Sequence, residues 1–315
     1  MLRSSELVEQ RCGPIEEVGG DSVDQVLLAA GFGLVTAAIL ALSTVSFTLQ
    51  YAVSNIPNLA HGELLTFGAY AAYVVQRFTH NLLVAALAAA LTGGAVAWAM
   101  NAGMIEPFVR ARARLIVIFI ATLGVSLVLQ NIILLFFGGA NVAYILPESA
   151  PHRVGPFLWT SRGEQIMISA LVIMAALYFL LQHTTFGKAL RAVADNRELA
   201  RVTGIDAHRV VQLTWFLAGL IAGFAGFVLA GSVGSFAPGF GFTFLLVTVT
   251  AAVAGGLGKP YGAMAGALIL GLVMEISAFY IESAYKLGIA FGMLVIVLLF
   301  RPDGLFASRA GGAFE

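Results

Sequence analysis

Residues 115–137 read LIVIFIATLGVSLVLQNIILLFF, a run without a single Asp, Glu, Lys or Arg. As an α-helix rising about 1.5 Å per residue, it would be roughly 35 Å long, enough to cross a hydrocarbon core of about 30 Å. A chain in lipid must satisfy its own backbone N–H and C=O groups, which a helix does within one segment. Similar runs lie at 210–233 and 286–300. The alternating stretches of about ten residues that would signal a membrane β-barrel do not occur.

The whole chain follows this stretch. Of 315 residues, 59% are hydrophobic and 11% charged, and the mean hydropathy is +0.92. A soluble domain carries about twice that charged fraction. The fold class expected is therefore an all-α integral membrane protein, a polytopic helical bundle with about 8–9 transmembrane segments. Spans are expected near 26–49, 59–77, 82–105, 115–137, 164–182, 210–233, 243–257, 261–281 and 285–300. The run 243–257 is short and Pro260 follows it, so it reads as re-entrant or as half of a broken helix.

Outside the spans the chain is sparse. Residues 1–25 form an acidic N-terminal extension with Glu6, Glu9, Glu16, Glu17, Asp21 and Asp24. It has no apolar core after a basic start, so it does not read as a cleavable signal peptide, and the first span serves as the membrane address. The membrane domain then occupies 26–306 and a short tail 307–315. Cys12 is alone, which leaves no intrachain disulfide and no cysteine metal cluster. Net charge is zero, so nothing suggests a nucleic-acid partner.

Orientation follows the Lys/Arg bias of short loops. Arg110, Arg112 and Arg114 make one connection basic. Lys188, Arg191, Arg197, Arg201 and Arg209 do the same for 183–209. Placing these in the cytoplasm makes the Pro- and Gly-rich connection 138–163 external. With nine spans the acidic N-terminus then lies outside. Three G-x-x-x-G pairs, Gly219/Gly223, Gly262/Gly266 and Gly288/Gly292, put small residues on one helix face and read as packing contacts.

The search for catalytic constellations is negative. The segment 255–260 lacks the spacing and hydroxyl of a phosphate loop, and neither H-E-x-x-H nor G-x-S-x-G occurs. Four segments nonetheless interrupt the apolar background. In the first, Asn58-Leu59-Ala60-His61-Gly62-Glu63 follows Pro57. Pro57 cannot continue a helix, and Asn58 is a good N-cap for the next one. The helix start presents free N–H groups and a positive dipole end, which hold carboxylates at broken helices in transporters. His61 and Glu63 then have two readings. They belong to a translocation pathway or its gate, or Glu63 complements the dipole at the membrane surface while His61 bonds a neighbouring helix. Depth in the membrane decides.

The second segment is 183–209. Residues 186–194 read as helical, and Asp195 stands three residues before Glu198, the spacing of a capping box. A short helix would run from Asn196 to about Thr203 and stop at Gly204, a natural C′ residue, with Asp206 capping the next span. Leu190, Val193, Leu199, Val202 and Ile205 could enter a groove on a protein partner. A helix lying on lipid headgroups is the alternative, weakened by Asp195, Glu198 and Asp206 among the bases. The third segment, 254–260, contains Gly255, Gly256 and Gly258 and is an unwound functional break or a tight turn. The fourth is Glu275, expected to be interior and hydrogen-bonded because lipid exposure of its charge is costly.

Taken together the segments resemble the permease subunits of branched-chain amino acid ABC importers, the LivH-like of two paralogous subunits. Asn58 to Glu63 resembles the family's N-F-A-H-G-E element, with Leu59 for Phe. Arg114-Leu115-Ile116, Thr122 to Ser126 and Leu129-Gln130-Asn131 resemble a second element. Gly187 to Ala192 with Asp195-Asn196 and Gly204-Ile205 resembles the cytoplasmic loop. Thr250 to Gly258 with Gly262-Ala263-Met264 resembles the late Gly-rich segment, and Arg301-Pro302-Asp303-Gly304-Leu305 the usual ending. Lys259 stands where Gly or Ser is common, and the acidic extension is longer than usual.

The resemblance implies a multi-pass protein of a bacterial or archaeal cytoplasmic (inner) membrane. It would work with a paralogous permease subunit, two cytoplasmic ATPase subunits and an external substrate-binding protein. The chain itself would need no cofactor, since ATP and Mg would be bound by the partners. Residues 183–209 would be the ATPase-coupling loop, with Gly187, Leu190, Arg191, Val193, Asp195, Asn196, Leu199, Gly204 and Ile205. Asn58, His61, Glu63, Gly255, Gly256 and Gly258 would be the pathway or gate. Urea or short amides are alternative substrates, and an ion-coupled secondary transporter is the rival of another class.

Overall fold

Each apolar run becomes a helix. The computed structural model describes residues 22–79, 81–145, 151–154, 157–282, 285–301 and 304–305. Expectations for residues 1–21, including Cys12, for Pro302 and Asp303, and for the tail 307–315 fall outside these. In chain order the first helices are α1 (Ser22–Ser54), α2 (His61–Thr79) and α3 (Leu82–Met100). A π-helical turn (Asn101–Ile105) then leads into α4 (Glu106–Arg110) and α5 (Leu115–Phe137). Next come α6 (Ser161–His183), α7 (Thr185–Asp195), α8 (Arg197–Val202), α9 (Ala207–Val233), α10 (Phe240–Gly255), α11 (Pro260–Tyr280) and α12 (Lys286–Phe300). Six of the described helical segments are long and apolar enough to cross a membrane: 29–54, 82–110, 115–137, 161–183, 207–233 and 260–278. α10 and α12 are apolar but shorter. α2, with Glu63 and Arg77, is the most polar of the expected spans. The chain is a polytopic helical membrane protein.

Its surface is inverted relative to a soluble protein. Leu135 and Phe136 on α5 are 80% and 76% exposed, and Leu299 and Phe300 on α12 are 74% and 81% exposed. Ser43, Thr44, Ser46, Thr48 and Gln50 on α1 are fully buried. Such a surface is stable only where the surroundings are apolar.

α1 and α9 are the hubs of the bundle. α1 packs on α6, α9, α10 and α11, while α9 also packs on α2 and α3. Small residues permit these approaches. A methyl group built on Gly93 of α3 would lie 2.7 Å from the Gly223 Cα of α9, and Gly68 of α2 meets the same Gly223 backbone. Without side chains, three backbones come into van der Waals contact at one level. Gly262 and Gly266 of α11 likewise meet the α10 backbone at Gly255 and Ala251. A methyl group built on Gly288 or Gly292, the third expected pair, would meet nothing beyond its own helix backbone within 4 Å among the described residues.

The Pro- and Gly-rich connection 138–163 contains short strands. β1 (Val142–Ala143) pairs antiparallel with β4 (Ser235–Phe236), and β2 (Pro151–Val154) pairs with β3 (Phe157–Thr160). β1 is locked to the bundle by side chains. Gln76 Nε2 donates to the Ile145 carbonyl at 2.8 Å and Gln76 Oε1 accepts from the Ile145 N–H at 3.2 Å. Tyr144 Oη donates to the Ala69 carbonyl at 2.9 Å. These ties lie at the end of the bundle opposite the basic loops.

Candidate functional site

The chain between α1 and α2 breaks at Pro57 and restarts as the sequence requires. Asn58 Oδ1 accepts from the Ala60 N–H at 3.0 Å, and its Nδ2 donates to Gln50 Oε1 at 3.1 Å. Gln50 Oε1 also faces His61 Nδ1 at 3.2 Å, so that nitrogen carries the proton. His61 Nε2 lies 3.3 Å from Ser46 Oγ, and the ring stands edge-on to Phe47 at 5.4 Å. The chain of contacts continues from Ser46 Oγ to the Ser43 carbonyl at 2.8 Å, and from Ser43 Oγ to Thr248 Oγ1 on α10 at 2.8 Å.

α5 closes the group from the other side. Ser126 Oγ donates to Glu63 Oε1 at 3.3 Å, and Thr122 Oγ1 accepts from the Leu59 N–H at 3.2 Å. Two sequence segments more than 60 positions apart are thus parts of one polar knot. Asn58, His61 and Glu63 are all buried within the bundle, so neighbouring helices rather than the surroundings supply their contacts. His61 does bond a neighbouring helix. Its partners Gln50 and Ser46 were missed because they lie inside an apolar run. Their signal was helical spacing: Ser43, Ser46 and Gln50 at i, i+3 and i+7 share one face of α1.

Glu63 has no cationic partner among the described residues, and its Oε2 accepts no hydrogen bond. A compensating field is nearby. A methyl group on Gly62 would lie 2.6 Å from the Gly241 carbonyl oxygen and 3.0 Å from the Phe242 Cα, so the starts of α2 and α10 meet backbone to backbone. Two positive helix ends therefore meet at Gly62, the residue before Glu63.

The Gly-rich segment is a tight turn. Gly255 ends α10, Gly256 and Gly258 take φ of +104° and +80°, and the Lys259 N–H bonds the Gly256 carbonyl at 3.2 Å. The Leu305 N–H bonds the Ala254 carbonyl at 2.8 Å, so the C-terminal segment returns to this turn. A cleft of about 510 Å³ separates the turn from α7, with Leu190, Arg191 and Asp195 on one wall and Gly258, Lys259 and Tyr261 on the other. Two groups of expected site residues thus share one cleft. Glu275 is half-buried and bridges three helices, accepting from Thr36 Oγ1 at 2.9 Å and Lys286 Nζ at 2.8 Å.

In the loop 183–209, the two helices are capped as expected in number but not in detail. Thr184 Oγ1 caps α7 by accepting from the Gly187 N–H at 3.1 Å, and Gly187 lets the α7 start press on the Leu181 backbone. Asn196, not Asp195, caps α8, accepting from the N–H groups of Glu198 and Leu199 at 3.0 and 2.9 Å. The extended backbone needed at an N-cap falls one residue later than the capping-box spacing suggests. Gly204, at φ +88°, ends α8 in a Schellman arrangement. Its N–H bonds the Arg201 carbonyl and the Ile205 N–H bonds that of Ala200, both at 3.0 Å. Asp206 caps α9 through the Arg209 N–H at 3.1 Å.

The loop has two unlike faces. Leu190 and Val193 are buried in the chain's own core, so they do not offer themselves to a partner as expected. Arg191 Nη1 donates to the Leu181 carbonyl, fastening the same face. Leu199 and Val202 point away, 62% and 85% exposed. Ile205 lies half-buried against the core.

The family of branched-chain amino acid transport system permease components matches residues 29–298. The chain is 32% identical to the high-affinity branched-chain amino acid transport system permease protein LivH of Salmonella typhimurium, over 87% of this chain and 92% of that one. It is 28% identical to the corresponding protein BraD of Pseudomonas aeruginosa, over 87% and 93%. It is also 29% identical to the ribose import permease protein RbsC of Escherichia coli, over 83% and 82%. No solved structure matches.

Proposed function

This chain belongs to the family of branched-chain amino acid transport system permease components, and on that premise we propose that it is the membrane-spanning subunit of an ATP-driven importer for branched-chain amino acids. The observation that carries the reading is the match over nearly the whole membrane domain, from the first span to the last. The importer would lie in a bacterial inner membrane. It would pair this chain with a paralogous permease, two cytoplasmic ATPase subunits holding ATP and Mg, and an external binding protein that supplies affinity.

In this reading α7 and α8 are the coupling element. Both ends of α8 are capped, so it can carry a rigid-body push where an unstructured loop would absorb one. The docking surface is the side bearing Leu199 and Val202, while Gly187, Leu190, Arg191, Val193, Asp195, Asn196, Gly204 and Ile205 shape and seat the element. The cleft between α7 and the turn at Gly255, Gly256 and Gly258 is the space into which α7 would move. Asn58, His61 and Glu63 act as the fixed polar knot behind the gate, holding the starts of α2 and α10 together.

The test is extraction of the tagged chain from its native membrane in mild detergent, followed by identification of the co-purifying proteins and by uptake assays in proteoliposomes. Recovery of a second permease and ATPase subunits, with leucine uptake that requires ATP and the binding protein, is expected. A chain that is isolated alone and transports without ATP would sink the reading.

A further inference from the structure

The basic end of the bundle contains an acid that the function above does not use. Glu106 opens α4 and its side chain is only 5% exposed. Arg197 Nη2, from the first residue of α8, donates to both carboxylate oxygens, at 3.1 and 3.0 Å. Arg110 Nε donates to Oε1 at 3.3 Å, and His208 Nδ1 of α9 lies 3.3 Å from the same oxygen. Arg110 is 64% exposed and water screens it, so Arg197, at 21%, is the partner that matters.

Apolar packing does little to hold α8. Ala200 is its buried residue, while Leu199 and Val202 face outward. The Glu106–Arg197 pair is therefore the main side-chain tie between α8 and the bundle. Glu106 is aimed there by the π-helical turn before it, which closes with the Glu106 N–H on the Asn101 carbonyl. One extra residue in a turn rotates everything after it by about 100° relative to an uninterrupted helix. Without that turn α4 would present a different side chain to α8.

We propose that Glu106 is a positioning residue for coupling: it locks α8 to the α3–α4 rod, so that displacement of α8 is delivered to α3 as well as to α9. The inference rests on α7–α8 being the ATPase-facing element. α3 in turn contacts α9 at Gly93 and Gly223, so a shared displacement would reach the middle of the bundle.

The test uses the complete transporter carrying Glu106→Gln or Arg197→Lys, with two readouts. In amide hydrogen exchange, residues 197–205 should exchange about tenfold faster in Glu106→Gln, while 214–230 remain as protected as in the parent. Substrate imported per ATP hydrolysed should fall by about tenfold, with hydrolysis itself retained. Arg197→Lys, which keeps the charge but loses the two-oxygen contact, should show the same signature more weakly. Unchanged exchange at 197–205, faster exchange with unchanged transport per ATP, or loss of protection across 214–230 in both variants would each overturn the proposal. If the parent transporter shows no ATP-dependent uptake, the coupling role fails with the importer reading, and the exchange experiment still reports whether Glu106 holds α8.

Discussion

Glu63 and Glu106 are both buried carboxylates, and the molecule compensates them in opposite ways. Glu63, among apolar helices, has a serine hydroxyl and two converging helix starts. Glu106, at the basic end, has Arg197, Arg110 and a histidine. Dipoles are fixed in the backbone and need no mobile partner, so they suit a region that stays rigid. Side-chain ion pairs join separate segments and are tolerable where water can share the solvation of the arginines. The interior therefore reads as a permanent knot, and the basic end as a tie between parts that move together.

Four substitutions would break or sharpen this contrast. The largest effect is expected from Leu190→Asp, which places an unpaired charge in the core beneath the loop. It should cost about 4 kcal/mol, seen as loss of a cooperative thermal transition in detergent, and a stable protein would mean that α7 is not seated as described. Gly62→Val forces the starts of α2 and α10 apart and should cost about 3 kcal/mol, with a matching fall in monodisperse yield. Wild-type yield would show that the contact can relax. His61→Ala leaves Gln50 and Ser46 without their ring partner. A loss of about 2 kcal/mol is expected, independent of added salt because no ion pair is broken. Salt dependence of that loss would contradict a contact of the ring with uncharged partners only. Val202→Asp, on the outer side of α8, should change stability by less than about 0.5 kcal/mol. It should nevertheless reduce ATP-dependent uptake; normal uptake would remove Val202 from the docking surface.

Much of this was legible in advance because the signals are local. The apolar runs located the helices within about five residues, and Thr203-Gly204 and Asp206 marked the end of α8 and the start of α9. Where the reading slipped, the choice was between neighbours or faces. Asp195 and Asn196 are both good caps, and only the backbone angle at Asn196 selects it. Leu190 and Leu199 are equally apolar, yet the first turns inward and the second outward, because α7 lies on the bundle and α8 beyond it. Glu106 gave no warning, since an acid beside Pro107 in a basic loop looks like a solvated turn.

The sequence by itself determined a polytopic helical membrane protein, its capped loops and the family its segments resemble. Hydrophobic length and cap chemistry are decided within a few residues of chain, before any helix meets another. The tertiary structure alone decided which polar groups meet: Gln50 with His61, Ser126 with Glu63, Arg197 with Glu106. Those meetings depend on how each helix is rotated about its axis and how closely its neighbours approach. A glycine or a single π-helical turn resets both, far from the residues it brings together.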